Sequence, residues 1–484
     1  MSLTADLGQP IASTSEERQI AIRLSTKDSA YTIPPAKFLV PASWRRFHLS
    51  ELINKVLENE NPIPFDFLID QSLLRSSLGA YCAATGTSEE VVLDVEFLPS
   101  TLPPQLESTM PSEDWVSDVC ASVPGAILTS SYAGTLSLQS PPSHPLTFAG
   151  HDLSVLSTTF VPRPVGESTS DGKRWVASGG MDRVGRVWEY EVPSLSLTNP
   201  DAPASTPEVL YTLSLHQAPI SSVRARQSLV SSSTTSSPPH LLTAGWDGLI
   251  GVWDLTRGVN EGGSAETGED RLKKKRRKQT SSVTNKNPMM VLRGHTNKVS
   301  RAIFDRQDEN VAYSAGWDHA VRVWDIEHGI EKENKMSDKV HLDLAQLATP
   351  SLLLTGSTDR LVSLFDLRAS TLSAISLSLA GHAGPVSSVA SHPTNALMLC
   401  SASYDSTVKV WDARSPKQAL FTLDMPQKED DAATAVGRGE KDKVLCVDWD
   451  GERIVAGGEG ARVAVWRVRG TESKDDVAKM SVEA

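Results

Sequence analysis

SGGMDRVGRVWEY (178–190), TAGWDGLIGVWDL (243–255), SAGWDHAVRVWDI (314–326), TGSTDRLVSLFDL (355–367) and SASYDSTVKVWDA (401–413) are five copies of one pattern. A small or hydroxyl residue opens each copy, a turn with aspartate follows, and alternating apolar positions lead to an aromatic. The turn aspartates Asp182, Asp247, Asp318, Asp359 and Asp405 each stand six residues before Trp188, Trp253, Trp324, Phe365 or Trp411. Two degenerate copies extend the series, with Ala133 and Gly460 at the aspartate position, which makes seven. Successive turn positions are 49, 65, 71, 41, 46 and 55 residues apart, so a unit near 41 carries insertions of variable length. Apolar alternation over four to eight positions suits half-buried strands, and the period predicts four short antiparallel strands per unit.

Composition fits a water-soluble globular chain: 484 residues, 39% hydrophobic, 22% charged, mean hydropathy −0.23. No apolar run approaches the roughly 20 residues of a spanning helix, and the opening MSLTADLGQPIASTSEERQ lacks the basic and apolar regions of a secretory signal, so a cytosolic or nuclear chain is expected. Cys82, Cys120, Cys400 and Cys446 lie far apart with no CxxC pair, and reduced thiols are expected. Net charge is −12, which disfavours general binding to nucleic acid. The exception is Arg271 to Lys278, in which Arg271, Lys273, Lys274, Lys275, Arg276, Arg277 and Lys278 are basic. An exposed run of this kind reads as a nuclear localisation signal, or as a weak contact to RNA phosphates.

Residues 18–98 lie outside the repeat. Ile20, Ile22 and Leu24 alternate as in a strand, and Pro34, Pro35 and Pro41 break up a second strand region. Ser50 is expected to cap a helix carrying Leu49, Leu52, Ile53, Val56 and Leu57. Phe65, Phe67 and Ile69 mark a further strand, Leu73 to Tyr81 a short helix, and Val91, Leu93, Val95 and Phe97 a final strand. That order is the order of a ubiquitin-like β-grasp domain.

The repeats resemble the WD-repeat family. The resemblance implies a mainly β chain: a disordered tail (1–17), the ubiquitin-like α+β domain (18–98), a seven-bladed β-propeller (103–468) with a flexible basic insertion at 258–288, and a second tail (469–484). The last blade would take its outer strand from the segment around Leu102 to Met110. Four sets of residues align in the blades: His151, Ser178, Asp182 and Trp188; His216, Thr243, Asp247 and Trp253; His295, Ser314, Asp318 and Trp324; His382, Ser401, Asp405 and Trp411. A Ser/His/Asp set invites a hydrolase reading, but an active site is needed once and this set recurs four times. In WD repeats such residues form a buried hydrogen-bond chain, and no catalytic residue is assigned. The residues before the turn positions, Tyr132, Met181, Trp246, Trp317, Thr358, Tyr404 and Glu459, share one face. Of these, Tyr132, Trp246, Trp317 and Tyr404 are candidate partner contacts. The Ser/Pro/Gly-rich insertions Pro162 to Lys173, Val192 to Pro207, Val230 to Pro239 and Gly258 to Pro288 are expected to form an irregular fringe on the other face.

The stretch PIPFDFLIDQSLLRSSLGAYCAATGTSEEVVLDVEF (62–97) and the junction LPPQLESTMPSEDWVSDV (102–119) are similar to the family of WD-repeat ribosome-biogenesis proteins that supply the third member of the PeBoW complex. This resemblance implies a non-enzymatic assembly factor of the large (60S) subunit, needed for maturation of its precursor rRNAs and found in the nucleus, nucleolus and nucleoplasm. Its propeller would bind the block-of-proliferation WD-repeat protein, which holds pescadillo. Its ubiquitin-like domain would be gripped by the AAA ATPase midasin and stripped from the precursor particle. The chain would need no cofactor or metal of its own; a Mg²⁺ held by midasin would accept one carboxylate, placed at Glu90 with Glu89 as second choice. Alternatives are a Notchless-type factor, which has eight blades, and a substrate receptor of a ubiquitin ligase.

Overall fold

The computed structural model describes residues 18–27, 31–34, 36–58, 61–87, 91–139, 145–162, 173–191, 206–226, 240–256, 284–349, 352–368, 375–426 and 442–468. The chain divides into two compact units, one ending at Leu102 and one covering Pro103–Arg469.

The first unit contains β1 (Gln19–Ser25), β2 (Lys37–Pro41), α1 (Arg46–Val56), β3 (Phe65–Ile69), β4 (Ser72–Leu73), α2 (Leu78–Thr85) and β5 (Leu93–Pro99). Its sheet order is β2-β1-β5-β3-β4, with β1 and β5 parallel, Ile22 opposite Leu93. Alternation drives the packing, because Ile20, Ile22 and Leu24 all face inward against Leu49 and Ile53 of α1. Each such buried aliphatic side chain contributes about 1.5–3 kcal/mol. Phe65 and Phe97 meet edge to face at 5.5 Å in the same core.

Local details differ from the sequence reading in three places. The helix begins one turn before Ser50, at Arg46, so Ser50 is no cap; its Oγ instead accepts from Phe65 N and donates to Ile63 O, which fixes the entry to β3. The second helix is displaced to Leu78–Thr85, since Leu73 pairs in β4 and Ser77 supplies the cap, accepting from Ala80 N at 3.3 Å. Gly86, at φ 68°, ends that helix in the left-handed conformation glycine adopts at least cost. The final strand starts at Leu93 and leaves Val91 outside it, exposed.

The second unit holds seven sheets. Their innermost strands, Val116–Cys120, Val155–Val161, Ile220–Ala225, Val299–Phe304, His341–Gln346, Val386–Ser391 and Val444–Trp449, pack in cyclic order, the seventh against the first. This is a closed propeller of seven blades. Closure depends on β6 (Gln105–Pro111), which pairs antiparallel with Arg462–Arg467 and completes blade 7 from the opposite end of the domain. Every innermost strand has a bulge between its first and third residues, among them Val116/Asp118, Val299/Arg301 and His341/Asp343. A bulge re-aims the residue that follows it. Here it sends the third residue of several blades to the centre of the ring, where Asp118, Arg301 and Asp343 meet.

The insertion between the third and fourth strands of blade 3 is not irregular throughout. Thr284–Lys286 forms a fifth strand on blade 2, parallel to Glu208–Leu213, and Lys286 lies over Tyr211 at 4.2 Å. An outer blade edge has unpaired backbone groups, and this strand covers one of them. Arg271 to Lys278 and most of the other Ser/Pro/Gly-rich stretches lie outside the described residues.

Candidate functional site, the turn face of the propeller

Four blades carry the complete histidine sets. In blade 2, Trp188 Nε1 donates to Ser178 Oγ at 2.9 Å, the hydroxyl meets His151 Nε2 at 2.8 Å, and His151 Nδ1 meets Asp182 at 2.8 Å. Blade 3 repeats it with Trp253, Thr243, His216 and Asp247 at 2.9, 2.9 and 3.1 Å. Blade 4 does so with Trp324, Ser314, His295 and Asp318 at 2.7, 2.6 and 2.9 Å, and blade 6 with Trp411, Ser401, His382 and Asp405 at 2.8, 2.7 and 2.9 Å. The donor order that satisfies every atom runs from indole to hydroxyl to Nε2, then from Nδ1–H to carboxylate. The four hydroxyls are fully buried and each already serves two partners, so none is placed to attack a substrate.

Burial would raise these carboxyls, but the hydrogen bonds they accept, first among them those from the histidines, outweigh it. Asp182, Asp247 and Asp405 end below the ordinary range, and Asp318, which also receives Thr296 N and Arg322, falls to about 2.

Blade 5 has dismantled the set. Ser337 stands at the histidine position, Phe365 at the tryptophan position, and the Thr355 hydroxyl is buried without a partner. His341 fills the start of the innermost strand, where the other blades have Val116, Val155, Ile220, Val299, Val386 and Val444. Its ring meets Phe365 edge to face at 5.5 Å, and Nε2 bonds Ser337 Oγ at 2.8 Å, while Nδ1 has no partner. Burial, helped by His319 and opposed by Asp359 and Asp318, pushes this imidazole down to about 4.

The histidine sets hold the turns that carry the candidate contacts. In all seven blades the residue after the turn position has positive φ: Gly134, Arg183, Gly248, His319, Arg360, Ser406 and Ala461. In all seven, the residue before the turn position donates its backbone N–H to the carbonyl just ahead of the innermost strand. Thus Tyr132 binds Trp115, Met181 binds Ser154, Trp246 binds Pro219, Trp317 binds Lys298, Thr358 binds Val340, Tyr404 binds Pro385 and Glu459 binds Lys443. These paired positions form one continuous rim. Trp246, Trp317 and Tyr404 are exposed, whereas Tyr132 is half-buried edge to face against exposed Trp115.

Sequence reasoning passed over Trp115, Lys298 and Lys443. Lys298 Nζ sits 4.0 Å from the ring centre of Trp246 and 5.0 Å from that of Trp317. Lys443 Nζ faces Tyr404 at 5.8 Å and is paired with Glu459 at 3.0 Å. The signal was present, because Lys298 stands three residues after His295 as Pro219 does after His216. Glu89, Glu90 and Arg271 to Lys278 lie outside the described residues.

The NLE (NUC135) domain family matches residues 20–82, and the WD domain, G-beta repeat family matches residues 207–254, 286–325 and 374–412. A ribosome biogenesis protein YTM1 from Laccaria bicolor is 35% identical over 456 residues, covering 93% of this chain and 94% of that protein. The chain belongs to the YTM1 family of ribosome biogenesis proteins. Another YTM1 protein, from Coprinopsis cinerea, is 36% identical, covering 94% of this chain and 96% of its own length. The Aspergillus oryzae member is 31% identical, with 96% and 98% covered. This chain thus combines an NLE domain with seven blades among its described residues.

Two denaturation experiments test the site. Asp318→Ala removes the acceptor of His295 and leaves buried groups unpaired, which should cost about 1–3 kcal/mol; Asp247→Ala and Asp405→Ala should behave alike. Three wild-type urea midpoints would show that the sets are not structural. His341 gives the opposite outcome. The unfolded chain takes up its proton near pH 6.5 and the folded chain only near 4. Its contribution is therefore full above pH 6.5 and falls by about 3 kcal/mol as pH drops through that window. His341→Val should flatten stability between pH 6.5 and 4; an unchanged slope would contradict this account.

Proposed function

We propose that this chain is a non-enzymatic assembly factor of the large (60S) ribosomal subunit. Its propeller docks the block-of-proliferation WD-repeat partner, which brings pescadillo into a PeBoW-type complex. Its NLE domain is the handle by which midasin removes it from the precursor particle. The observation that supports this reading is near full-length similarity to YTM1 proteins across both the NLE domain and the repeats. Seven blades rather than eight favour it over a Notchless-type factor.

The handle is read from chemistry. Mg²⁺ takes hard oxygen ligands in octahedral geometry, so an adhesion site with one open position needs a carboxylate delivered on a firm base. In the sequence, Glu90 and its neighbour Glu89 come after α2, which buries Leu78 and Cys82, and before β5, which buries Leu93 and Val95. The Mg²⁺ belongs to midasin, and this chain supplies only the ligand. Residues 101–104 join the NLE domain to β6 in the sequence. The basic run Arg271 to Lys278 serves nuclear and nucleolar import.

Affinity purification of the tagged chain should recover pescadillo, the block-of-proliferation protein and midasin. Glu90→Ala should lose midasin and keep the other two, because a single open metal position has no substitute ligand within the propeller. Mg²⁺-dependent capture of Glu90→Ala would overturn the assignment and make Glu89 the candidate. Deleting Arg271 to Lys278 should move the protein to the cytoplasm at unchanged melting temperature; undiminished nuclear accumulation would count against its role in import.

A further inference from the structure

The two rim lysines of the turn face have different surroundings. Lys443 is neutralised within the chain by Glu459. Lys298 has no carboxylate within ion-pair distance among the described residues, and its ammonium is instead held between two indoles from adjacent blades. The nearby turn aspartates do not serve it: Asp247 is occupied by His216, Gln217 N and Leu249 N, and Asp318 by His295, Thr296 N and Arg322. Both tryptophans are fixed by backbone bonds at the rim, yet remain 36% and 42% exposed. An ammonium shared by two aromatic faces gives up part of its hydration while keeping its charge, and charge in a partly dry site attracts an anion more strongly than charge in water.

We propose that Trp246, Lys298 and Trp317 form a docking point for an acidic segment of a protein partner. One carboxylate of that segment takes the Lys298 ammonium, and the flanking side chains pack on the two indoles. Rigid aromatic anchors around one desolvated charge are the composition of an interface hot spot. A peptide fits better than RNA. Phosphate-backbone binding depends on neutralising many charges, whereas this site offers one ammonium flanked by two apolar ring faces on which side chains can pack. The inference deepens the reading of the propeller as a docking surface, and its test does not require the proposed partner.

The full chain would be titrated with acetylated hexaglutamate, with hexaglutamine and with hexauridylate. Binding is read at the indole N–H resonances of Trp246 and Trp317, assigned with Trp246→Phe and Trp317→Phe. Reading these two signals separates the site from the basic run Arg271 to Lys278. Hexaglutamate should shift both resonances, and added salt should weaken the effect. Lys298→Gln should lower the affinity by about tenfold, the scale of one interfacial charge contact. Lys298→Arg, which keeps charge and stacking, should hold it within about threefold. The Arg variant also controls for any loss of folding in the Gln variant. Equal shifts from hexaglutamine, tighter binding of hexauridylate, no shift at millimolar hexaglutamate, or an unaffected Lys298→Gln would each overturn the proposal. Failure here with retained pescadillo capture would leave the assembly reading standing; the converse would leave the acidic dock without that partner.

Discussion

Two carboxylates and two guanidiniums meet at the centre of the propeller, and the ring is built around their mutual satisfaction. Arg224 of blade 3 grips Asp118 of blade 1 at 2.9 and 3.2 Å, and Arg301 of blade 4 lies 3.5 Å from Asp118 and 2.5 Å from Asp343 of blade 5. Ser157 of blade 2 and Ser388 of blade 6 donate to the two carboxylates at 2.8 and 2.7 Å, and Ser388 accepts from Val447 N of blade 7. Burial would raise the Asp118 carboxyl, but Arg224 and Arg301 outweigh it and hold it down. Charges withdrawn from water cost several kcal/mol each, and the loss is offset only when every partner is in place. All seven blades must therefore take their positions together, which ties the ring's diameter and register to one network.

The turn face inherits its order from that ring. Every blade fixes its turn through the backbone bond from the residue before the turn position to the carbonyl ahead of the innermost strand, and four blades fix it a second time through the histidine set beneath it. A rim residue is thus presented on a surface whose backbone cannot relax away from a partner. Preorganised aromatic side chains lose little conformational entropy on binding. This makes the rim a suitable docking surface in a family of ribosome biogenesis proteins.

Blade 5 shows how much the pattern tolerates. Replacing tryptophan by Phe365 and moving the imidazole to His341 keeps the strand geometry but leaves Thr355 and one ring nitrogen unpaired. The blade survives because its neighbours fix its position, although His341 makes it sensitive to acid. Repeat architecture distributes stability among neighbours, so one imperfect unit can be carried by two complete ones.

What the sequence determined was whatever repeats or alternates. The fixed offset from turn aspartate to aromatic marked five blades, two degenerate copies of the same pattern completed seven, and the spacing of Ile20, Ile22 and Leu24 marked a strand of the β-grasp sheet, because these patterns reflect local backbone geometry and burial on one face. Tertiary structure decided what depends on contacts between distant residues. Ser50 is a good helix cap by type, but its hydroxyl is claimed by the approach to β3; Leu73 fits a helix, but β3 offers it a strand partner. Thr284–Lys286 reads as linker until the edge of blade 2 gives its backbone a ladder to join. Asp118 and Arg224 are 106 positions apart and carry no common motif, and Lys298 becomes part of the rim only when Trp246 arrives from the adjacent blade. Periodicity records which way a side chain faces, but only the folded ring determines what it meets there.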